Sequence, residues 1–233
     1  MKLMSFSGID GAGKSTQIEA LCEHFSNLGC PFEVYRFWDD VVTLRRFREN
    51  SSHKVFNGDR GIGSPDRPIV RRDKNVKSKA LTVLRMCFYL LDAWSLRRRV
   101  VRQRHSGIIV FDRYIYDELA NLPLESRIVQ LYLRLVLRLT PVPDLAFLID
   151  SEPETAATRK PEYPVAFVRQ NRDSFIRLSQ LAGMVVLPPG SIEETEETIR
   201  QLVEARSLPT HAACLENPFQ ATDPSLGAGS ENH

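Results

Sequence analysis

The amino-acid sequence predicts an α/β domain in which helices cover a parallel β-sheet. Short apolar runs typical of buried strands alternate with longer segments whose apolar residues recur at helical spacing. Parallel strands need crossover connections, and a helix in such a connection packs back onto the sheet in a right-handed sense. A glycine-rich turn also separates the first apolar run from the first helical segment. With 233 residues, of which 42% are hydrophobic, the chain is long enough for one globular core.

The strand predictions rest on short apolar runs that are bounded by turn-forming residues. The first run ends in glycines, and Gly107 precedes the run IIVFD. The run LAFLI follows two prolines that end the preceding helix. The predicted strands are 2–7, 32–37, 107–112, 144–150 and 184–188.

The helix predictions rest on apolar spacing and on residues that begin helices. In the first helix, Ile18, Leu21 and Phe25 share one face. Ser191 begins the last helix, with Glu194 in position to complete a capping box. The predicted helices are 14–28, 80–104, 126–139, 152–160, 165–181 and 191–206.

Composition and turn formers set the expected domain plan and location. Residues 1–208 are expected to form one domain, and 209–233, which have little periodicity, a flexible tail. The net charge of +2 gives no reason to expect a nucleic acid or a membrane as partner. The four cysteines form no CxxC pair, and no apolar signal-peptide run opens the chain. We therefore expect a cytoplasmic protein.

The motif with the most chemical meaning is GIDGAGKS at positions 8–15, which fits the phosphate-binding pattern G-x-x-x-x-G-K-[ST]. Its glycines let backbone N–H groups turn toward phosphate oxygens, and the following helix adds its positive N-terminal end. Lys14 supplies a charge for the β- and γ-phosphates, and the Ser15 hydroxyl is placed for Mg²⁺. The sequence therefore predicts a P-loop that binds nucleotide.

Other parts of the sequence select among the classes of P-loop protein. A GTPase needs an N-K-x-D motif to read its base, and the sequence contains none. It also lacks the second nucleotide module that motor ATPases use. Small-molecule kinases are therefore the leading class.

The chain resembles the thymidylate kinase family in GIDGAGKSTQ, in VFDRYIYDELA after a strand, and in DLAFLIDSEPETAATR. The resemblance covers most of residues 2–206 and fails in 39–79 and in the tail. It implies a three-layer P-loop NTPase fold, with a five-stranded parallel sheet flanked by helices and a mobile lid at about 159–167. It also implies transfer of the γ-phosphoryl group of ATP, with Mg²⁺, to the 5′-phosphate of thymidine monophosphate.

On the donor side, the resemblance assigns roles to the residues that match the family's motifs. The implied catalytic residues are Lys14, Arg113, Arg159 and Arg172, and the implied Mg²⁺ ligands are Ser15 and Asp112. The implied ATP-binding residues are Gly8, Asp10, Gly11, Ala12, Gly13, Lys14, Ser15 and Thr16. Because positions 11 and 12 carry no arginine, arginines from elsewhere must stabilise the charge on the transferring group. A local ion pair or a solvated helix face is the alternative for the arginines.

On the acceptor side, the resemblance implies contacts from five residues: Asp10, Asp39, Arg45, Tyr89 and Arg113. Tyr89 matches a base-stacking aromatic and is equally well interpreted as a core residue. Arg45 belongs to a basic segment, 41–79, that is either a clamp for an anionic acceptor or an ordinary solvated loop.

The acceptor pocket departs from the family at several positions. Ala93 stands where the family has an arginine that reads the thymine edge, and a missing hydrogen-bond partner weakens base discrimination. Asn121 and Leu122 replace a tyrosine and a glutamine, and Ser7 replaces a glutamate. The lid contains two prolines and is short. These changes leave the donor side intact, and an acceptor other than thymidine monophosphate is therefore an alternative.

Three hypotheses follow from this sequence. The first is a nucleoside monophosphate kinase of thymidylate type, whose partners are small nucleotides. The second is a kinase of a nucleoside or another alcohol, with Asp39 or Asp40 as the base. The third is a nucleotide-binding regulatory domain that transfers nothing. The wide apolar run in the helix around 81–104 adds a homodimer as one interpretation.

Overall fold

The structure is a computed structural model that describes residues 1–43, 79–103 and 107–206. Its elements in chain order are β1 (Lys2–Ser7), α1 (Lys14–Asn27), β2 (Phe32–Arg36), a π-helical turn (Phe37–Val41), α2 (Lys79–Arg102), β3 (Ile108–Asp112), α3 (Ile115–Leu119), α4 (Arg127–Leu139), β4 (Leu145–Ile149), α5 (Pro153–Arg159), α6 (Val165–Ala182), β5 (Val185–Leu187) and α7 (Ile192–Arg206). The predicted α/β class is confirmed.

The five strands form one parallel sheet in the order β2-β3-β1-β4-β5. The three central strands are almost entirely buried, whereas the edge strands β2 and β5 are partly exposed. This agrees with the sequences of β3 and β4, because a strand covered on both faces needs a nearly continuous apolar run. The strand β1 also buries Ser5 and Ser7. The carboxyl ends of β1, β3 and β4 therefore meet at one edge, where open α/β sheets bind ligands.

A capping box marks the beginning of α7. The backbone N–H of Glu194 donates to Oγ of Ser191, and the N–H of Ser191 donates to Oε2 of Glu194, both at 3.1 Å. The predicted capping box before α7 is thus confirmed. α7 packs on α1, where Nε2 of Gln17 donates to the carbonyl oxygen of Ile192 at 2.9 Å.

Two elements differ from the expectations. The five-residue helix α3 has no counterpart among the predicted helices, and the predicted strand 32–37 ends one residue earlier, where the π-helical turn begins. Segment 44–78 and the expected tail 209–233 lie outside the described residues.

Among the residues described, no helix is long and apolar enough to cross a membrane.

Candidate active site

The P-loop lies at the carboxyl end of β1, against the end of β4 and against α5. Gly8, Gly11 and Gly13 have φ angles of 144°, 87° and 92°, in the region that favours glycine. A Cβ atom on Gly8 would lie 2.5 Å from the carbonyl oxygen of Ile149, and one on Gly11 would overlap that of Ala156. The loop therefore needs glycine at these positions both for its backbone conformation and for its close approach to neighbouring backbone.

Lys14 is folded back over its own loop. Its ammonium group donates to the carbonyl oxygens of Gly8 at 2.9 Å and Ile9 at 2.8 Å, and the residue is 7% exposed. Burial, together with the positive charge of Arg113, lowers the pKa of Lys14 to about 8. A lysine held in this way remains close to the loop and loses little conformational freedom when it binds an anion.

Ser15 and Thr16 are exposed in the first turn of α1, and Asp112 is half-buried at the end of β3. Among the described residues, no group of three or more His, Cys, Asp or Glu side chains could hold a metal on its own. Mg²⁺ in kinases is usually held by one or two protein oxygens and by the substrate's phosphates. A hydroxyl and a single carboxylate are therefore a donor set that fits Mg²⁺.

Arg113 follows directly after β3 in an unusual backbone conformation. Its φ of 65° makes it the sole residue other than glycine with positive φ in the described part of the chain. Its N–H donates to the carbonyl oxygen of Phe6 at 3.0 Å, which extends the ladder between β1 and β3 by one residue. Its guanidinium hydrogen-bonds the carboxylate of Asp10 through Nη2 and lies 3.3 Å from Asp117 through Nη1.

The charges around Arg113 stabilise its ionised form. Burial lowers its pKa, but the carboxylates of Asp117 and Asp10 raise it by more, so that the pKa lies above its ordinary value. Arg113 thus forms ion pairs, as its alternative interpretation expected, and their partners are Asp10 of the P-loop and Asp117 of α3.

Asp117 belongs to this cluster and was not among the predicted site residues. It is 6% exposed, and its Oδ2 accepts hydrogen bonds from Oγ of Ser7 at 2.7 Å and from the N–H of Tyr114 at 3.2 Å. Burial raises its pKa, although the charges of Arg113 and Lys14 act in the opposite direction. One sequence signal could have found it, namely an acid four residues after an arginine at the start of a helix.

The arginines that were expected near the lid lie in two different environments. Arg172 of α6 forms two hydrogen bonds of 2.7 Å with the carboxylate of Asp150, just after β4, and lies 3.5 Å from Glu152. The hydrogen bonds to Asp150 raise the pKa of Arg172. Arg159 is exposed at the last residue of α5. The ion pair with Asp150 places Arg172 at the carboxyl edge of the sheet, and the phosphate contacts of both arginines stay predictions.

On the acceptor side, the residues that the resemblance places around the base are mostly buried. Tyr89 and Ala93 on α2 are 2% and 0% exposed, and Leu122 after α3 is 4% exposed. The amide of Asn121 donates to the backbone carbonyl of Asp117 at 2.8 Å. In this structure Tyr89 packs within the core, as its alternative interpretation expected.

Asp39 is exposed in the π-helical turn. Side chains of α2 form hydrogen bonds with this turn and with the residues just after it. Oδ1 of Asp92 accepts from the N–H and the hydroxyl of Thr43, both at 2.8 Å. Oγ of Ser95 donates to the carbonyl of Val41 at 2.8 Å. These bonds fix the turn without using Asp39. Arg45 lies outside the described residues.

Known proteins resemble this chain in sequence and in fold. No family model matches the chain. The chain is 23% identical over 211 residues to a probable thymidylate kinase of Archaeoglobus fulgidus, covering 87% of this chain and 95% of that protein.

Two solved structures are similar in fold. Thymidylate kinase from Ehrlichia chaffeensis has a TM-score of 0.54 at 19% identity, covering 87% of this chain and 98% of its own. Thymidylate kinase from Candida albicans, a protein described as having broad substrate specificity, has a TM-score of 0.57 at 17% identity. The match covers 88% of this chain and 91% of that one. The predicted resemblance and the predicted fold are confirmed.

Proposed function

We propose that this chain, a thymidylate kinase-like phosphotransferase, moves the γ-phosphoryl group of ATP to the phosphate of a nucleoside monophosphate, with thymidine monophosphate as the expected acceptor. One observation carries the proposal: the guanidinium of Arg113 is held between Asp10 and Asp117 where β3 ends beside the P-loop. A cation aimed at this edge, next to a phosphate-binding loop, suits two phosphate groups brought together.

The donor half of the site uses the P-loop. Its backbone N–H groups and the N-terminal end of α1 would hold the phosphates of ATP, as at other glycine-rich helix starts. The ammonium of Lys14 would move from the carbonyls of Gly8 and Ile9 to the β- and γ-phosphates. Ser15 and Asp112 would hold Mg²⁺, which when bound offsets negative charge on the phosphates.

The acceptor half uses Arg113, supported by Asp10. A nucleoside monophosphate is already ionised at its phosphate, so the reaction needs no general base. The cations have two tasks: they bring two anions together and they stabilise charge that spreads over the transferring oxygens. Arg172 is the second candidate for this task, since Asp150 holds it at the same edge of the sheet.

A different acceptor is the second candidate function, and the burial of Ala93 favours it. The methyl group of Ala93 offers no hydrogen bond to a base and is 0% exposed. A nucleoside or another alcohol would need a carboxylate to accept its proton, and Asp39 is exposed in the turn after β2.

Kinetics of two variants test the proposal for the donor and acceptor halves separately. Lys14→Ala is expected to lower kcat by at least about a hundredfold with every acceptor, because the donor phosphates lose their cation. Arg113→Ala is expected to raise KM for thymidine monophosphate much more than KM for ATP. If Arg113→Ala leaves both constants unchanged, the arginine is only structural and the proposed acceptor site is wrong.

A further inference from the structure

The cluster behind the P-loop joins three parts of the chain through one carboxylate. The carboxylate of Asp117 on α3 accepts one hydrogen bond from the hydroxyl of Ser7 on β1 and another from the N–H of Tyr114 in the turn after β3. It also lies 3.3 Å from Nη1 of Arg113. Its side chain is 4% exposed, so water cannot replace these partners easily.

The two carboxylates that hold Arg113 differ in their surroundings. Asp10, on the P-loop, has a side chain that is 21% exposed, and it binds Nη2. Asp117 is shielded from solvent and binds Nη1. An arriving phosphate can therefore compete with Asp10 for one edge of the guanidinium while Asp117 keeps the other edge in place. The guanidinium's fixed fork of donors allows both contacts at once.

The backbone at Arg113 also needs support. A φ of 65° in a residue other than glycine is a strained conformation that persists only where the surroundings hold it. Asp117 accepts from both sides of this conformation, from the side chain of Arg113 and from the N–H of the next residue.

We propose that Asp117 is a positioning residue that fixes the guanidinium of Arg113 for the acceptor phosphate, with the hydroxyl of Ser7 orienting its carboxylate. The inference rests on the proposed function and adds a residue to it. It also explains the missing acid at position 7: where the resembling family has a glutamate, this chain places a hydroxyl that donates to an acid from α3.

Steady-state kinetics of Asp117→Asn, with Ser7→Ala as a milder variant, tests the proposal. Asp117→Asn keeps the shape and removes the charge, so kcat/KM for thymidine monophosphate should fall about tenfold to a hundredfold. The ATP dissociation constant, measured by calorimetry, should change less than about twofold, because Lys14 and the loop glycines are untouched. Glu125→Gln is the matched control, since it also removes a carboxylate charge but breaks only an ion pair with Arg177 in which both side chains are exposed.

A second pair of variants separates a positioning role from a merely structural one. Asp117→Ser should lower kcat/KM for thymidine monophosphate. Adding Ser7→Glu should raise this value again by at least about threefold, because the carboxylate then comes from position 7 and the hydroxyl from position 117. Equal losses in ATP binding and acceptor kinetics, or no gain in the double variant, would overturn the proposal. If Asp117→Asn does not fold, the same comparison is made between Asp117→Ser and the double variant.

A readout without turnover distinguishes failure of this inference from failure of the proposed function. The Nε–H resonance of Arg113, assigned with Arg113→Lys, should be sharp and resolved in the unmodified chain and broadened in Asp117→Asn. An unchanged resonance would overturn the positioning role even in an active enzyme. Absence of turnover on every acceptor, with the resonance changed as expected, would instead contradict the proposed function alone.

Discussion

Both carboxylate oxygens of Asp150 accept hydrogen bonds from the guanidinium of Arg172, each at 2.7 Å. The pair ties α6 to the end of β4, one residue beyond the carbonyl of Ile149 against which Gly8 of the P-loop packs. An arginine expected to contact phosphate thus also joins the helix after the lid to the edge of the sheet where the P-loop lies.

The ion pair of Arg172 and Asp150 should stabilise the fold measurably. In a double-mutant cycle with Arg172→Met and Asp150→Asn, urea unfolding should give a coupling free energy of about 1–2 kcal/mol, because the bonds are bidentate and Asp150 is shielded. The control cycle is Arg169→Met with Glu154→Gln, whose side chains are 61% and 57% exposed. This control pair should show no coupling above the error. Equal coupling in the two cycles would contradict the prediction.

Gly11→Ala should damage both the loop and ATP binding. A methyl group there would overlap the carbonyl oxygen of Ala156, and the φ of 87° disfavours alanine. We expect ATP affinity to fall at least about tenfold and the free energy of unfolding to fall by about 2 kcal/mol or more. Calorimetry and urea unfolding measure the two effects.

Gly29→Ala is the matched control for this substitution. Gly29 also has a positive φ, of 66°, but a Cβ atom there would meet nothing within 4 Å. The Gly29→Ala variant should lose only about 1 kcal/mol of unfolding free energy and keep its ATP affinity. If Gly11→Ala behaves like Gly29→Ala, the close approach to Ala156 is not essential.

The lowered pKa of Lys14 predicts that ATP binding depends on pH. In the free protein Lys14 is mostly charged at pH 7 and mostly neutral at pH 9, since burial lowers its pKa to about 8. Bound phosphates favour the ammonium, so the affinity for ATP should fall about tenfold between these pH values. Calorimetry at pH 9 in two buffers of different ionisation enthalpy should show uptake of nearly one proton.

The lowered pKa of Lys14 also determines how this group makes the free energy of unfolding depend on pH. Between pH 8 and pH 10.5 the unfolded chain binds more protons at Lys14 than the folded one, so this group makes the free energy of unfolding rise with pH. Lys14→Met should abolish both the proton uptake and this rise. Equal uptake in Lys14→Met would assign the proton to another group.

A homodimer through the helix around 81–104 stays a prediction. We extend the predicted interface to α4, which packs against α2 and also exposes apolar side chains. Trp94 is 57% exposed, and Ile128, Leu131 and Leu135 form an exposed stripe at helical spacing. Sedimentation should give about twice the chain mass of 26.5 kDa, and Leu131→Glu should give a monomer. Leu181→Glu on α6, 48% exposed, should remain dimeric. A concentration-independent monomer would refute the dimer.

Much of the architecture could be predicted because its signals are local. The strands β3 and β4 are nearly continuous apolar runs, the capping box needs only Ser191 and Glu194, and the P-loop is a contiguous motif. α3 could not be predicted from its period, since all five of its residues are buried and two of them are acids. The residues flanking Asp117 in the sequence do not reveal that Ser7 of β1, 110 positions earlier in the chain, is its partner.

The acceptor side was harder to predict for a related reason. The π-helical turn is held by Asp92, Ser95 and Arg99 of α2, between 49 and 59 positions away along the chain. Neither Asp39 nor its neighbours signal these contacts. The predicted stacking role of Tyr89 depended on a helical face, and the structure packs that face into the core. The roles of Asp39, Tyr89 and Arg45 with an acceptor stay predictions.

The most direct test of the central claim is the identity of the phosphorylated product. The unmodified chain is incubated with Mg·ATP and, in turn, nucleoside monophosphates, nucleosides and simple sugars, and products are identified by ³¹P resonance, with Lys14→Ala as control. The account predicts ADP and thymidine diphosphate, formed fastest from thymidine monophosphate. Phosphorylation of a nucleoside or a sugar alone, or ATP binding without any product, would contradict it.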